Sequence, residues 1–119
     1  MGSQVIAVCS CGLKEKILIG GGMMNFTNIC YFPCYCEKCK SVVEVNLLDA
    51  NKQCPNCKNP NILPYDNPEL FEVPGENIIA EWNIAEELGR VLILTDGNYK
   101  CPSCCKMTLH FINTLLLWD

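Results

Sequence analysis

Two pairs of cysteines carry the clearest chemistry in this chain: Cys36-Glu-Lys-Cys39 and Cys54-Pro-Asn-Cys57, fourteen residues apart. Thiolates are soft ligands. Two Cys-x-x-Cys turns at this separation are the pattern of a four-sulfur metal site of tetrahedral geometry. In each turn the first cysteine is expected at a strand end and the second just past a tight bend, so that both sulfurs point the same way and backbone N–H groups aim at them. Pro55 suits such a bend, because its ring fixes φ and needs no hydrogen-bond acceptor. The residues from Lys40 to Gln53 are long enough for one hairpin that brings the second turn back over the first.

Cys101-Pro-Ser-Cys104 repeats the Cys-Pro-x-Cys of Cys54–Cys57, and it needs a partner pair. Cys9-Ser-Cys11, closed by Gly12, is the remaining close pair. Joining the two predicts a second four-thiolate site made of Cys9, Cys11, Cys101 and Cys104. Cys30, Cys34 and Cys105 are the competing ligands for that site. Cys30 and Cys34 are read as buried thiols, which pack like small hydrophobes. Cys104 is preferred to Cys105 because its spacing from Cys101 matches the other turns. His110, the one histidine, lies in an apparent strand facing opposite to Leu109 and Phe111, and is read as a sheet residue.

The bulk composition agrees with metal. Eleven cysteines in 119 residues imply either disulfides or metal ligands. The count is odd, the cysteines are paired closely, and the stretch before Cys9 does not read as a secretory signal. Cytoplasmic thiols and metal ligands are therefore the expectation. No apolar run approaches the ~18 residues that span a bilayer. Zinc is the expected occupant, two ions per chain, with a single iron per cage as the alternative for an electron carrier. The formal net charge is −4. Each zinc with four thiolates adds +2 − 4 = −2, so two filled cages bring the chain to about −8. Nine Lys and Arg residues then leave little for a nucleic-acid face. Lys38, Lys40, Lys52 and Lys58 cluster around the principal site; contact with phosphate is one reading, and offsetting the charge of the thiolates is the preferred one.

The elements that must position these sulfurs read mostly as strands. Val5–Val8 leads into Cys9, and Lys14–Ile19 returns from it as a hairpin. Ser41–Leu48 is β-branched and alternating, with Asp49–Lys52 as the following turn. Ile62–Tyr65 is a short extended piece. Asp66-Asn67-Pro68 is a cap with proline at the first helical position, enough for one helical turn. Glu81–Ile84, Val91–Leu94 and Thr108–Leu117 are further strands, with a turn at Thr95–Asn98. Gly20-Gly21-Gly22 lacks the Lys-Ser/Thr of a phosphate loop and reads as a strained turn, followed by a packing segment at Met23–Phe26. The stretch from Glu72 to Gly89 is acidic, and its run from Glu72 to Glu87 reads as a solvated loop, with a cationic partner as the alternative. The aromatics Tyr31, Phe32, Tyr65 and Trp82 are candidates for a contact surface, with burial in the core the alternative.

Cys36–Cys39, Cys54–Cys57 and Cys101–Cys104 resemble the knuckles of zinc-ribbon and rubredoxin-like proteins. Over nearly its full length the chain resembles a group of small prokaryotic zinc-ribbon proteins, through Cys11-Gly12, Gly20–Phe26, Val45-Asn46-Leu47, Pro64-Tyr65-Asp66, Tyr99–Cys104 and Trp118-Asp119. The resemblance implies a fold and brings no established reaction. It departs from the usual ribbon where Lys58 and Cys105 stand in place of glycine after Cys57 and Cys104.

The resulting expectation is a mostly β fold, small α+β at most, of short antiparallel sheets held by metal. It is a single compact unit over residues 1–119, with a central ribbon at 36–65 and an outer ribbon formed by 1–29 and 91–119. Closed four-cysteine sites leave no coordination position for substrate, and no catalytic constellation is visible. A metal-stabilised module that binds a protein partner is the leading function. A nucleic-acid-binding ribbon is the second, and a rubredoxin-like electron carrier or thiol redox protein the third.

Overall fold

The computed structural model describes residues 2–21, 29–49, 51–73, 75–84 and 89–118. The expected packing segment Met23–Phe26 lies outside them, as do Gly22, Ala50, Pro74, Glu86, Glu87 and Asp119. The described residues form eight strands and one short 3-10 turn: β1 (Gly2–Cys9), β2 (Lys14–Ile19), β3 (Tyr31–Cys36), β4 (Ser41–Asn46), β5 (Leu63–Pro64), the turn Pro68–Leu70, β6 (Ile78–Ile84), β7 (Arg90–Thr95) and β8 (Leu109–Trp118). The fold is mostly β, in three small antiparallel sheets.

Two of these sheets share one plan. The first has strand order β2-β1-β8, the second β4-β3-β5. Each begins with a hairpin, β1–β2 or β3–β4, whose turn carries the first cysteine pair. In each, a second cysteine pair precedes a third strand, β8 or β5, that runs antiparallel to the first strand of the hairpin. The β4-β3-β5 sheet is inserted whole between β2 and β8, so we call it the inner sheet and its counterpart the outer sheet. One expectation is corrected by this plan. Among the described residues no hairpin forms within Lys40–Gln53; β4 pairs instead with β3, upstream of the Cys36–Cys39 turn.

The local reasons are simple. β1 alternates, burying Val5 and Ala7, and β2 buries Ile17 and Ile19 while its lysines stay outside. Pro33 sits inside β3 without breaking it. Its carbonyl accepts from the Tyr65 N–H at 3.1 Å, so its missing N–H falls on the side of β5, a strand of two residues. The β3–β4 ladder loses nothing. Asn67 caps the 3-10 turn, its side chain accepting from the Glu69 N–H at 2.9 Å with Pro68 behind it.

The inner and outer sheets meet at Gly20, which exchanges two 2.8 Å backbone hydrogen bonds with Tyr31. Gly20 has φ +81°, and a Cβ there would lie 2.4 Å from the Trp82 ring. Glycine is therefore needed for both conformation and space. Leu18 adds a 2.7 Å bond from its N–H to the Glu44 carboxylate across the same seam. The third sheet, β6-β7, covers the seam with Ala80, Ile84, Leu92 and Leu94. β6 contains the strand expected at Glu81–Ile84 and begins earlier, at Ile78, inside the acidic run that reads as a loop.

The core is continuous through all three sheets. At its centre Tyr65, Tyr99 and Phe111 stack edge to face with centroids 5.1–5.8 Å apart. Phe32 and Tyr65 are fully buried and so form no contact surface; Tyr31 and Trp82 are half-buried. Among the described residues no helix is long and apolar enough to cross a membrane.

Candidate metal centres

The inner cage is set by two turns. Cys36 ends β3 and Cys39 follows one turn later, its N–H 3.5 Å from the Cys36 Sγ. Cys54 receives two such bonds, from the N–H groups of Asn56 at 3.4 Å and Cys57 at 3.5 Å. The turn is closed behind the sulfurs by the backbone: Cys54 N–H to Asn59 carbonyl, and Lys58 N–H to Cys54 carbonyl, both 2.9 Å. Cys101 repeats this closure residue for residue, with its N–H on the Lys106 carbonyl and its carbonyl taking the Cys105 N–H, both at 2.8 Å. Cys9 has the same arrangement in a turn one residue tighter, with Leu13 and Gly12 as partners at 3.0 Å.

Each turn exits through a left-handed residue immediately after its second cysteine: Gly12 at φ 105°, Lys40 at 54°, Lys58 at 60° and Cys105 at 61°. The missing glycines at 58 and 105 therefore change nothing in the shape of the turn. Lys and Cys are forced into a conformation that costs an L-residue roughly 1–2 kcal/mol. The resemblance to ribbon knuckles marks Lys58 and Cys105 as glycine positions, whereas nothing in the sequence marks Lys40.

The sulfurs converge in two groups. The Sγ atoms of Cys36, Cys39, Cys54 and Cys57 all lie within 4.8 Å of one another, and so do those of Cys9, Cys11, Cys101 and Cys104. Cross pairs are 3.6 Å (Cys36–Cys57) and 3.5 Å (Cys39–Cys54) in the inner cage. They are 3.7 Å for both Cys9–Cys104 and Cys11–Cys101 in the outer one. A tetrahedron with metal–sulfur bonds of about 2.3 Å has edges of about 3.8 Å, so the donor sets fit a four-coordinate metal ion. The separations are far longer than the ~2.05 Å of a disulfide, and all eleven cysteines are thiols.

Burial differs between the cages. Cys36 and Cys54 are buried with Cys39 and Cys57 half-buried, whereas the outer cage buries only Cys101 and leaves Cys11 exposed. Cys30 and Cys34 are fully buried and belong to neither cage. Cys34 donates to the Phe32 carbonyl at 3.7 Å, and burial pushes its thiol far up. Cys105 is exposed and outside the outer cage. His110 is exposed between the buried Leu109 and Phe111.

Four thiolates this close repel one another, so without a cation each cage shares its protons. In the inner cage burial pushes the Cys36 thiol up. Cys39 is pushed up to about 12, first by holding its proton against the Cys57 sulfur and then by burial. Cys57 is correspondingly pulled down to about 7, chiefly by that thiol. In the outer cage burial pushes Cys101 up to about 12. Burial works against Cys9 too, yet the Cys11 N–H and the Thr108 hydroxyl pull it down to about 6. Thr108 also pulls Cys104 down.

Thr108 is the residue sequence reading misses. Its hydroxyl lies 3.0 Å from the Cys9 sulfur and 3.5 Å from that of Cys104, positioned to donate to either thiolate. The available signal is a hydroxyl residue four positions after a knuckle cysteine, at the head of a strand.

No family model matches the sequence, and no curated protein or solved structure shows significant similarity to it.

Proposed function

We propose that this chain is a zinc-binding structural module, two zinc ribbons nested one inside the other, whose role is to present a surface to a protein partner. The observation that carries this reading is the pair of four-sulfur cages, each with its Sγ atoms within 4.8 Å of one another. Four thiolates complete a tetrahedral shell and leave no position for substrate or activating water, which is the arrangement of structural zinc. Zinc bound to such sites is worth about 10–16 kcal/mol in small zinc-dependent folds, as much as the whole stability of an ordinary domain, ~5–15 kcal/mol. Three small sheets are thereby held in one arrangement without a large interior.

A protein partner is favoured over nucleic acid by charge. The formal −4 becomes about −8 with both cages filled, and Lys38, Lys40, Lys52 and Lys58, all exposed, sit beside the inner cage, where they offset its thiolates.

Elemental analysis with thiol counting on the purified protein is the test. Two zinc ions and three titratable thiols (11 − 8, namely Cys30, Cys34 and Cys105) are expected. Iron in place of zinc, seen as visible colour, overturns the structural-zinc reading in favour of electron transfer. A chelator under reducing conditions is expected to collapse the dispersed NMR spectrum; an unchanged spectrum overturns the structural role.

A further inference from the structure

We propose that the groove along the free edge of β7 is a strand-docking site for an extended peptide segment that alternates aliphatic and basic residues. This rests on the reading of the chain as an interaction module and names the chemistry of its partner.

Among the described residues the β6-β7 sheet has two strands, so β7 is paired there on one side only. The Asp96 N–H donates to the Asn77 carbonyl at 2.9 Å, on the side of β6. The Thr95 N–H turns the other way, to the Tyr99 hydroxyl at 2.8 Å. Successive peptide groups of a strand point to opposite sides, so Val91 and Ile93 present their N–H and C=O groups on the side of Thr95. Among the described residues no strand takes them. They face a groove of about 290 Å³ lined by Asp66, Phe71, Val91, Ile93, Thr95 and Tyr99. Phe71 is held at its wall by edge-to-face packing on Tyr99, with centroids 5.6 Å apart.

The edge carries no guard. Arg-Val-Leu-Ile-Leu-Thr contains no proline, and its single charge, Arg90, is engaged by Asp66 at 3.0 Å. Val91 and Ile93 remain 39% and 36% exposed. Edges of this kind are normally blunted by lysine, proline or a covering element; left open, they are what strand addition uses, backbone bonds supplying affinity and side-chain pockets specificity.

Charge selects the occupant. Asp66 in the groove is paired with Arg90, so among the described residues the carboxylates left to set the charge are exposed Glu72, which follows Phe71, and exposed Glu81, across from Ile93 on the same open face. The nearby cations are spent, Arg90 on Asp66 and Lys100 over the Tyr35 ring at 5.4 Å. An acidic rim favours a basic strand and repels a second copy of this chain, whose formal charge is −4.

The test is an NMR titration of the 15N-labelled, metal-loaded full chain with an acetylated, amidated pentapeptide alternating lysine and valine. Controls are the glutamate–valine version and a lysine–valine peptide N-methylated on its inward-facing residues. Shifts confined to the amides of Val91, Ile93, Thr95 and Phe71 are expected. Affinity should be at least roughly tenfold above the acidic peptide, weakened by salt and lost on N-methylation. Shifts elsewhere, equal affinity for both charges, or a dimer formed through β7 overturns the proposal. Metal content is measured on the same sample. Two ions per chain without peptide binding overturns the groove alone; peptide binding by a folded chain without metal overturns the module reading and leaves the groove standing.

Discussion

The hydroxyl of Tyr65 donates to the backbone carbonyl of Lys100 at 2.8 Å, and through that bond the inner sheet holds the turn that enters the outer cage. Tyr65 follows β5 and is fully buried among Tyr35, Tyr99 and Phe111. The Lys100 N–H is fixed in turn by the Leu70 carbonyl at 2.8 Å. Both peptide groups before Cys101 are thus set by the inner half of the molecule. Tyr65→Phe is expected to lower stability by about 1–2 kcal/mol, the cost of stranding one acceptor, with metal content unchanged. Tyr65→Ala should cost about 3–5 kcal/mol. Urea unfolding of the metal-loaded protein measures both.

The left-handed residues behind the knuckles make a second prediction. Lys40→Gly, Lys58→Gly and Cys105→Gly each relieve a positive φ and should raise stability by about 0.5–1 kcal/mol, glycine's own entropy offsetting part of the gain. Gly12→Ala, with open space around its Cβ, should lose about 1 kcal/mol from conformation alone. Gly20→Ala should lose more, since its Cβ also meets the Trp82 ring. Thermal unfolding at matched metal content ranks the five variants.

Thr108→Val keeps the shape of the side chain and removes the hydroxyl that serves Cys9 and Cys104. Groups of this kind tune metal affinity by 10–100-fold. A loss of about tenfold at the outer cage, with the inner cage unaffected, is expected in a competitive chelator titration.

Protons and metal compete for the same sulfurs. Cys9 and Cys57, held down at about 6 and 7 against an ordinary 9.0, favour the assembled cages fully above pH 9, and that contribution is lost as pH falls through 7 and then 6. Cys39 and Cys101, held up at about 12, favour the cages as thiols below pH 9 and lose that advantage as pH rises toward 12. Metal entry near pH 8 must therefore expel protons from at least Cys36, Cys39 and Cys101. Calorimetry in buffers of different ionisation enthalpy should find three or more released. On acidification both cages should release metal as their sulfurs take up protons. Metal release from Cys11→Ser and Cys36→Ser, each keeping one complete cage, separates the two.

The cages were legible because metal chemistry constrains cysteine spacing directly: Cys-x-x-Cys can present two sulfurs to one ion only through a tight turn, and Cys-Pro-x-Cys recurs. The hairpins β1–β2 and the strands β4, β7 and β8 were legible from alternation. β3 is not legible as a strand in its own right, because Pro33 interrupts the pattern and only a partner as short as β5 makes that harmless. β6 was half hidden in an acidic stretch, since Glu81 and Asn83 are its outward residues. The pairing of the inner hairpin is not legible for a related reason. Strand pairing is decided by which apolar faces meet, and Ser41–Leu48 shows the same face whichever neighbour it takes. Phe32 and Tyr65 could not be assigned to core or surface before the ring cluster was seen, because aromatic residues serve both.

The nesting of one sheet within the other also sets an order of events. The inner cage joins sulfurs up to 21 positions apart, the outer cage sulfurs up to 95, and closing the longer loop costs about 1.3 kcal/mol more in chain entropy. On the ribosome the ligand at Cys57 emerges well before those at Cys101 and Cys104. All four inner sulfurs are therefore available to an ion before the outer set is complete.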